Sequence, residues 1–272
     1  MAKKKQNDPK IIYYEDELND DFAGTHIKPK KVDQNFKYTK RNFLWNVCSF
    51  LIYYLIAVPV VWVYERVFLQ VKIKNKKALK KIKKQKCFFY GNHTSFVDAF
   101  TPNVLSVPTR NRILVSPDTI SIPCVKNLVQ MLGAVPVPNT LSGMKKFTES
   151  VYHLHKHSNI TIYPEAHIWP YFTGVRNFSD KSFGYPITTN SPVIAFFTAY
   201  SEPKGLFSRY RKANITIYVS DPIYPNINLP KKEAQKELRD KVYEFLKYCS
   251  EKYSTHKAIE YKHISEKSEE NN

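Results

Sequence analysis

From Phe43 to Tyr64 the chain reads FLWNVCSFLIYYLIAVPVVWVY, 22 residues without a charged side chain. No other stretch limits the fold so sharply. As a helix it covers about 33 Å at about 1.5 Å per residue, enough to cross a hydrocarbon core about 30 Å thick. Trp45, Tyr53, Tyr54, Trp62 and Tyr64 supply the aromatics that favour a membrane interface. Two of them fall mid-segment, and Pro59 is placed to kink the helix. An in-plane or re-entrant course therefore stands beside a spanning one. A buried core helix is the ordinary alternative, but soluble helices of this length rarely lack every charge. The expectation is a membrane-associated apolar helix over residues 42–70.

Residues 72–86 follow with nine lysines and no acid, half of a formal net charge of +18. Most such runs are solvated basic helix faces, and a basic helix is expected here. Beside an uncharged segment, however, lysines gain about 1 kcal/mol each near an anionic leaflet. Anionic membrane lipids are the expected partner. The positive-inside rule places the domain that follows on the cytoplasmic side, with Lys40 and Arg41 on the other flank weakening the asymmetry. Nucleic acid is the rival anionic partner, but no base-reading motif or stacking platform accompanies the lysines, so none is expected. Residues 1–41 mix Lys3-Lys4-Lys5 with EDELNDD and read as a polar, flexible tail without a signal peptide; residues 254–272 read as a second polar tail. Cys48, Cys87, Cys124 and Cys249 form no C-x-x-C pair, which argues against a disulfide framework or zinc ribbon and suits a reducing compartment.

Between the tails, apolar runs alternate with helical patterns. CFFY, RILVS, GAVPVP, ITIYP, PVIAFFTAY and ANITIYVS read as strands; IPCVKNLVQML, SGMKKFTESVYHLHKH and KKEAQKELRDKVYEFLKYCSEKY read as helices. The expected fold over residues 71–253 is α/β, a mixed and largely parallel sheet covered by helices.

Within that frame CFFYGNHTSFVDAF presents His93 just past a strand and Asp98 five positions on. Ser95 to Asp98 also fits a helix capping box, and a cap can coexist with catalysis. ITIYPEAHIWPY delivers Glu165 and His167 after a second strand. Ligands of α/β sheets gather beyond the carboxyl ends of strands, which is where His93 and Glu165 fall. HLHKH sets His153 and His157 on one helix face, but no cysteine or carboxylate joins them, and no metal is expected.

In this order Asn92-His93-x4-Asp98, the strand opened by Gly133, Tyr163-Pro164-Glu165 and Pro192-Val193 resemble the glycerolipid acyltransferase family, which includes the 1-acylglycerol-3-phosphate acyltransferases. That family's motifs are N-H-x4-D, G-x-I-F-I-x-R, F-P-E-G-T-R and a Val-Pro-Ile/Val strand; the likeness covers roughly residues 86–220. It implies a membrane-associated enzyme of phospholipid biosynthesis. The enzyme would move a fatty acyl group from acyl-CoA or acyl-carrier protein, as co-substrate and without a resident cofactor, to a hydroxyl of a lysophosphatidate-like or related lipid. It further implies His93 as general base, Asp98 as its partner, Glu165 at the acceptor and Pro192 in the strand associated with the acyl donor. Histidine suits a base working near neutrality, and no G-x-S-x-G elbow supplies a serine nucleophile.

Two arginines of the family pattern are missing. Asn139 closes the second motif, and the third reads Pro164-Glu165-Ala166-His167-Ile168. An arginine grips phosphate through a planar fork that asparagine or isoleucine cannot imitate. Either Arg176, Lys181 or Lys126 supplies the cation, with Arg176 preferred, or the acceptor carries no phosphate there. A non-catalytic lipid-binding protein on the same scaffold is the competing reading.

Overall fold

A computed structural model describes residues 9–22, 27–39, 42–82, 85–123, 125–205 and 208–269. Lys3-Lys4-Lys5, Lys40, Arg41, Lys83, Lys84 and Cys124 lie outside them. In chain order the strands are β1 (Lys10–Tyr14), β2 (Lys72–Lys74), β3 (Phe88–Gly91), β4 (Asn111–Val115), β5 (Ala134–Pro136), β6 (Asn159–Ile162), β7 (Val193–Ser201), β8 (Asn214–Val219) and β9 (Ile259–His263). Seven form one sheet in the order β2-β8-β7-β3-β6-β4-β5. The β7–β8 pair is antiparallel and the other five pairings are parallel. This is the mixed, largely parallel α/β fold that the sequence predicts.

The central strands β3 and β6 are buried on both faces, as expected where helices cover a parallel sheet. On one face Phe88, Tyr90, Ala195 and Phe197 pack with the helices Met144–His155 and Lys231–Tyr253. The second helix earns its length from one stripe: Ala234, Leu238, Val242, Leu246 and Cys249 recur at three or four residues and all are buried. On the other face lie Cys87, Phe89, Ile194, Phe196 and Ile217.

The apolar segment forms one helix, Phe43–Phe68. It widens into i→i+5 turns over Ile52–Ala57, just before Pro59, which has no N–H to give the carbonyl four residues back. The helix docks along the domain by a polar stripe and turns its apolar side outward. Ser49 Oγ donates to the Met131 carbonyl at 3.0 Å, and the Tyr53 hydroxyl accepts the Asn111 N–H at 3.0 Å. Near the other end Glu65 accepts from Thr101 Oγ1 at 2.5 Å. Phe43 is 81% exposed, Leu55 65% and Trp62 50%. A soluble amphipathic helix has the reverse polarity.

Three expectations need correction. The basic stretch is no single helix: Lys72–Lys74 forms the edge strand β2 against β8, and among its described residues only Ala78–Lys81 is helical. The ends are not loose tails, because β1 pairs in parallel with β9 along Lys10↔Ile259 to Tyr14↔His263. Their polar composition conceals short runs, IIYY and IEYKH, which pair with each other and whose Tyr14 and Tyr261 pack on Trp169, Tyr261 also meeting Phe22 and Phe172. Val32, within the segment assigned to the first tail, is fully buried.

Candidate active site

β3 ends at Gly91, where a Cβ would stand 2.3 Å from the buried Phe196 ring, so any other residue there has to displace that ring. Asn92 then replaces the ladder with its side chain. Its Oδ1 accepts the Thr198 N–H at 2.8 Å and its Nδ2 donates to the Thr198 carbonyl at 3.2 Å, fixing the chain just before His93.

His93 is held from two sides. Its Nδ1 lies 3.5 Å from Asp98 Oδ2, the outer limit of a hydrogen bond, and its ring stacks on Tyr163 at 4.3 Å between centroids with the planes 15° apart. The imidazole is 14% exposed. Asp98 is anchored independently. Its Oδ2 accepts the N–H groups of Thr94 (2.7 Å) and Ser95 (2.8 Å), while Ser95 Oγ accepts the Val97 N–H. The capping box predicted for Ser95 and Asp98 is present on the short helical turn Phe96–Ala99. One carboxylate thus caps the turn and faces the histidine. Tyr163 completes the bracket, its hydroxyl donating to the Asp98 carbonyl.

Beyond β6 the chain from Pro164 to Phe172 lies against the His93 segment, with the Trp169 N–H on the His93 carbonyl at 3.1 Å and the Tyr171 N–H on the Thr94 carbonyl at 2.9 Å. Glu165 sits inside this loop. Burial raises its pKa against the opposing pull of Arg176. The backbone N–H groups of His93 and Arg176 also favour its ionised form, although neither meets hydrogen-bond geometry at Oε1.

Arg176 is not a free cation. Its guanidinium lies 3.2 Å from Glu165 Oε2, with the two side chains 1% and 0% exposed. It also donates to the His167 and Glu17 carbonyls and stands 4.9 Å over Trp169. So paired and buried, the guanidinium is not the free cation that the sequence reading wanted for an acceptor phosphate. Its work is to neutralise Glu165 and hold the loop.

Pro192 lies apart from this group. Register pairs Phe88 with Val193, so Pro192 stands at the start of β7, level with the start of β3, whereas His93 follows the end of β3. Lys126 reaches over the Phe36 ring at 5.4 Å, Lys181 is exposed on the turn Lys181–Phe183, and neither pairs with His93 or Glu165 among the described residues. His167 faces Asp21 at 3.8 Å. Asn139, in place of a family arginine, accepts the Val32 N–H at 2.9 Å and donates to the Lys30 carbonyl at 3.1 Å. That amide complements a peptide backbone on both edges, which a guanidinium without an acceptor cannot do. The position serves to fasten residues 30–32.

Tyr163 and Trp169 are the residues that sequence reasoning passed over. Tyr163 stood inside a quoted motif as a strand residue; its place directly before Pro164, at the strand's end, was the available signal. Trp169 carried none, because its partners Tyr14, Phe22 and Tyr261 are far away in sequence.

No family model and no curated protein matches the sequence. Among solved structures the chain is similar to the 1-acyl-sn-glycerophosphate acyltransferase PlsC from Thermotoga maritima. Identity is 14%, over 80% of this chain and 100% of that one, with a TM-score of 0.48. At that distance neither family nor reaction transfers.

Proposed function

We propose that the protein is a membrane-associated acyltransferase that moves a fatty acyl group from a thioester donor, acyl-CoA or acyl-carrier protein, to a lipid hydroxyl. The observation that carries this reading is the seating of His93. Its Nδ1 faces a buried, anchored aspartate, its ring rests on Tyr163, and its Nε2 has no partner among the described residues. Nε2 takes the proton of the acceptor hydroxyl as that oxygen attacks the thioester carbonyl. Collapse of the tetrahedral adduct breaks the C–S bond, and the thiolate leaves with the proton held by the imidazolium. Asp98 orients the ring and stabilises its positive charge, as the aspartate does in serine-protease triads.

The outward apolar face of Phe43–Phe68 supports a place for that helix in the plane of one leaflet. A helix docked to the domain near both of its ends cannot also cross a bilayer without drawing the domain in. Lys72, Lys74, Lys76, Lys77, Lys80 and Lys81, all exposed, continue from it toward anionic headgroups. The burial of Arg176 and the structural use of Asn139 favour an acceptor whose recognition does not depend on a guanidinium at those two positions.

Purified protein in liposomes, offered acyl-CoA or acyl-carrier protein against phosphate-bearing and phosphate-free lyso-lipids, tests the reading by mass spectrometry of the products. Acylated lipid from at least one pairing, absent with His93→Ala, is expected. No product from any pairing, with vesicle binding intact, gives the scaffold to the non-catalytic reading.

A further inference from the structure

A cavity of about 410 Å³ opens between the start of the helix Phe43–Phe68, the start of β4 and the end of the helix Met144–His155. Lys37, Arg110, Arg112, His153 and His157 line it, and among the described residues no carboxylate does. We propose that this cavity is a binding site for a phosphomonoester group, separate from the His93 site.

Its place in the sheet makes it separate. Arg112 and Phe88 are both in register with Ile160, so the arginine is level with the beginning of β3. His93 stands five residues further along, about 16 Å at about 3.3 Å per residue. The inference therefore does not rest on the acyl-transfer reading.

The charge pattern names the ligand. Arg112 Nε is buried without a hydrogen-bond partner, and so is Arg110 Nε. Neither arginine has a carboxylate partner among the described residues. Burial, and then the positive charge of Arg110, lower the Arg112 pKa to about 10. Two guanidinium groups so placed are a standing cost that an anion offsets, and a phosphate dianion matches their planar forks better than a halide. Arg110 is already positioned for it. It donates to Ser49 Oγ at 2.7 Å and to the Met131 carbonyl, and lies 4.7 Å over the Tyr53 ring. The spacing of HLHKH also finds its use. His153 and His157 face the cavity, while His155 between them is buried against Phe88 and Ser191.

The phosphate has two possible sources. Trp45 and Ser49 on the cavity wall belong to the helix with the apolar outer face, so a lipid headgroup can reach the site from the bilayer; a soluble phosphate can reach it from water.

The test uses the full chain in detergent, with chloride exchanged for inorganic phosphate at constant ionic strength. The wild-type melting temperature should rise by roughly 3 °C or more. Arg112→Gln should lose that rise, and the exposed Lys232→Gln should keep it. Should Arg112→Gln fail to fold, His157→Gln at the exposed rim replaces it and should weaken the rise. Flotation with phosphatidylcholine vesicles, alone or carrying phosphatidate or phosphatidylglycerol, separates the sources. Preference for phosphatidate over phosphatidylglycerol, lost in Arg112→Gln, assigns the lipid headgroup; a phosphate response without that preference assigns a soluble ligand. No phosphate response, or the same response in the cavity variants, overturns the site.

Discussion

The Arg176 guanidinium lies 3.2 Å from Glu165 Oε2 with both side chains sealed from water, at the heart of the loop that flanks His93. Such a pair has little net value against an apolar replacement, but losing one member leaves a buried charge alone. Arg176→Met should therefore destabilise the fold by about 3–5 kcal/mol in urea unfolding. Adding Glu165→Gln should recover a substantial part of that loss. Additive single losses would show that the two groups are not coupled.

Ala166, next to Glu165, has φ of 65°, the left-handed region that an L side chain enters at a cost of about 1–2 kcal/mol. Glycine removes that cost and returns part of it as chain entropy in the unfolded state. Ala166→Gly should stabilise by about 0.5–1 kcal/mol. A lower urea midpoint in the variant would contradict the backbone assignment.

The resemblance in sequence located this loop and erred on its contents. The six strands β3 to β8, the His93–Asp98 spacing and the capping box were legible because each depends on neighbours within a few residues. The pairing of Arg176 was hidden because its partner set, Glu165, His167, Glu17 and Trp169, is assembled by folding. Asn139 looked like a lost function for the same reason; its partners lie 107 and 109 residues away. The terminal strands β1 and β9 were invisible because each is a run of five residues in polar surroundings, and their pairing spans nearly the whole chain.

If the helix Phe43–Phe68 lies in one leaflet, both of its flanks face the same side of the membrane. Single cysteines at Gln34→Cys and Lys72→Cys, in a background carrying Cys48→Ser and Cys124→Ser, should both react with an impermeant maleimide added outside closed vesicles. Reaction at one flank only would establish a spanning helix.

His155 is buried against Phe88 and bonded to Ser191 Oγ at 2.8 Å. Burial lowers its pKa to about 4, against about 6.5 for an unperturbed histidine. Its folded-state pKa is depressed, so the unfolded chain takes up a proton first as pH falls. Stability is full above about pH 7.5 and declines as pH falls toward 4, by on the order of 3 kcal/mol. Chemical denaturation across that range should show the decline in wild type and a shallower one in His155→Gln. Equal slopes in the two proteins would remove His155 from the explanation.

The account stands on His93 as the base. The most direct measurement is the acyl-transfer rate of His93→Ala beside wild type, at saturating donor and acceptor, with folding verified by circular dichroism. A positioned general base contributes about 10² to 10⁴ in rate, so the variant should fall by at least about a hundredfold, roughly 3 kcal/mol of transition-state stabilisation. A folded His93→Ala protein that keeps its rate within about a factor of three, where a base is worth at least about 10², would contradict the assignment.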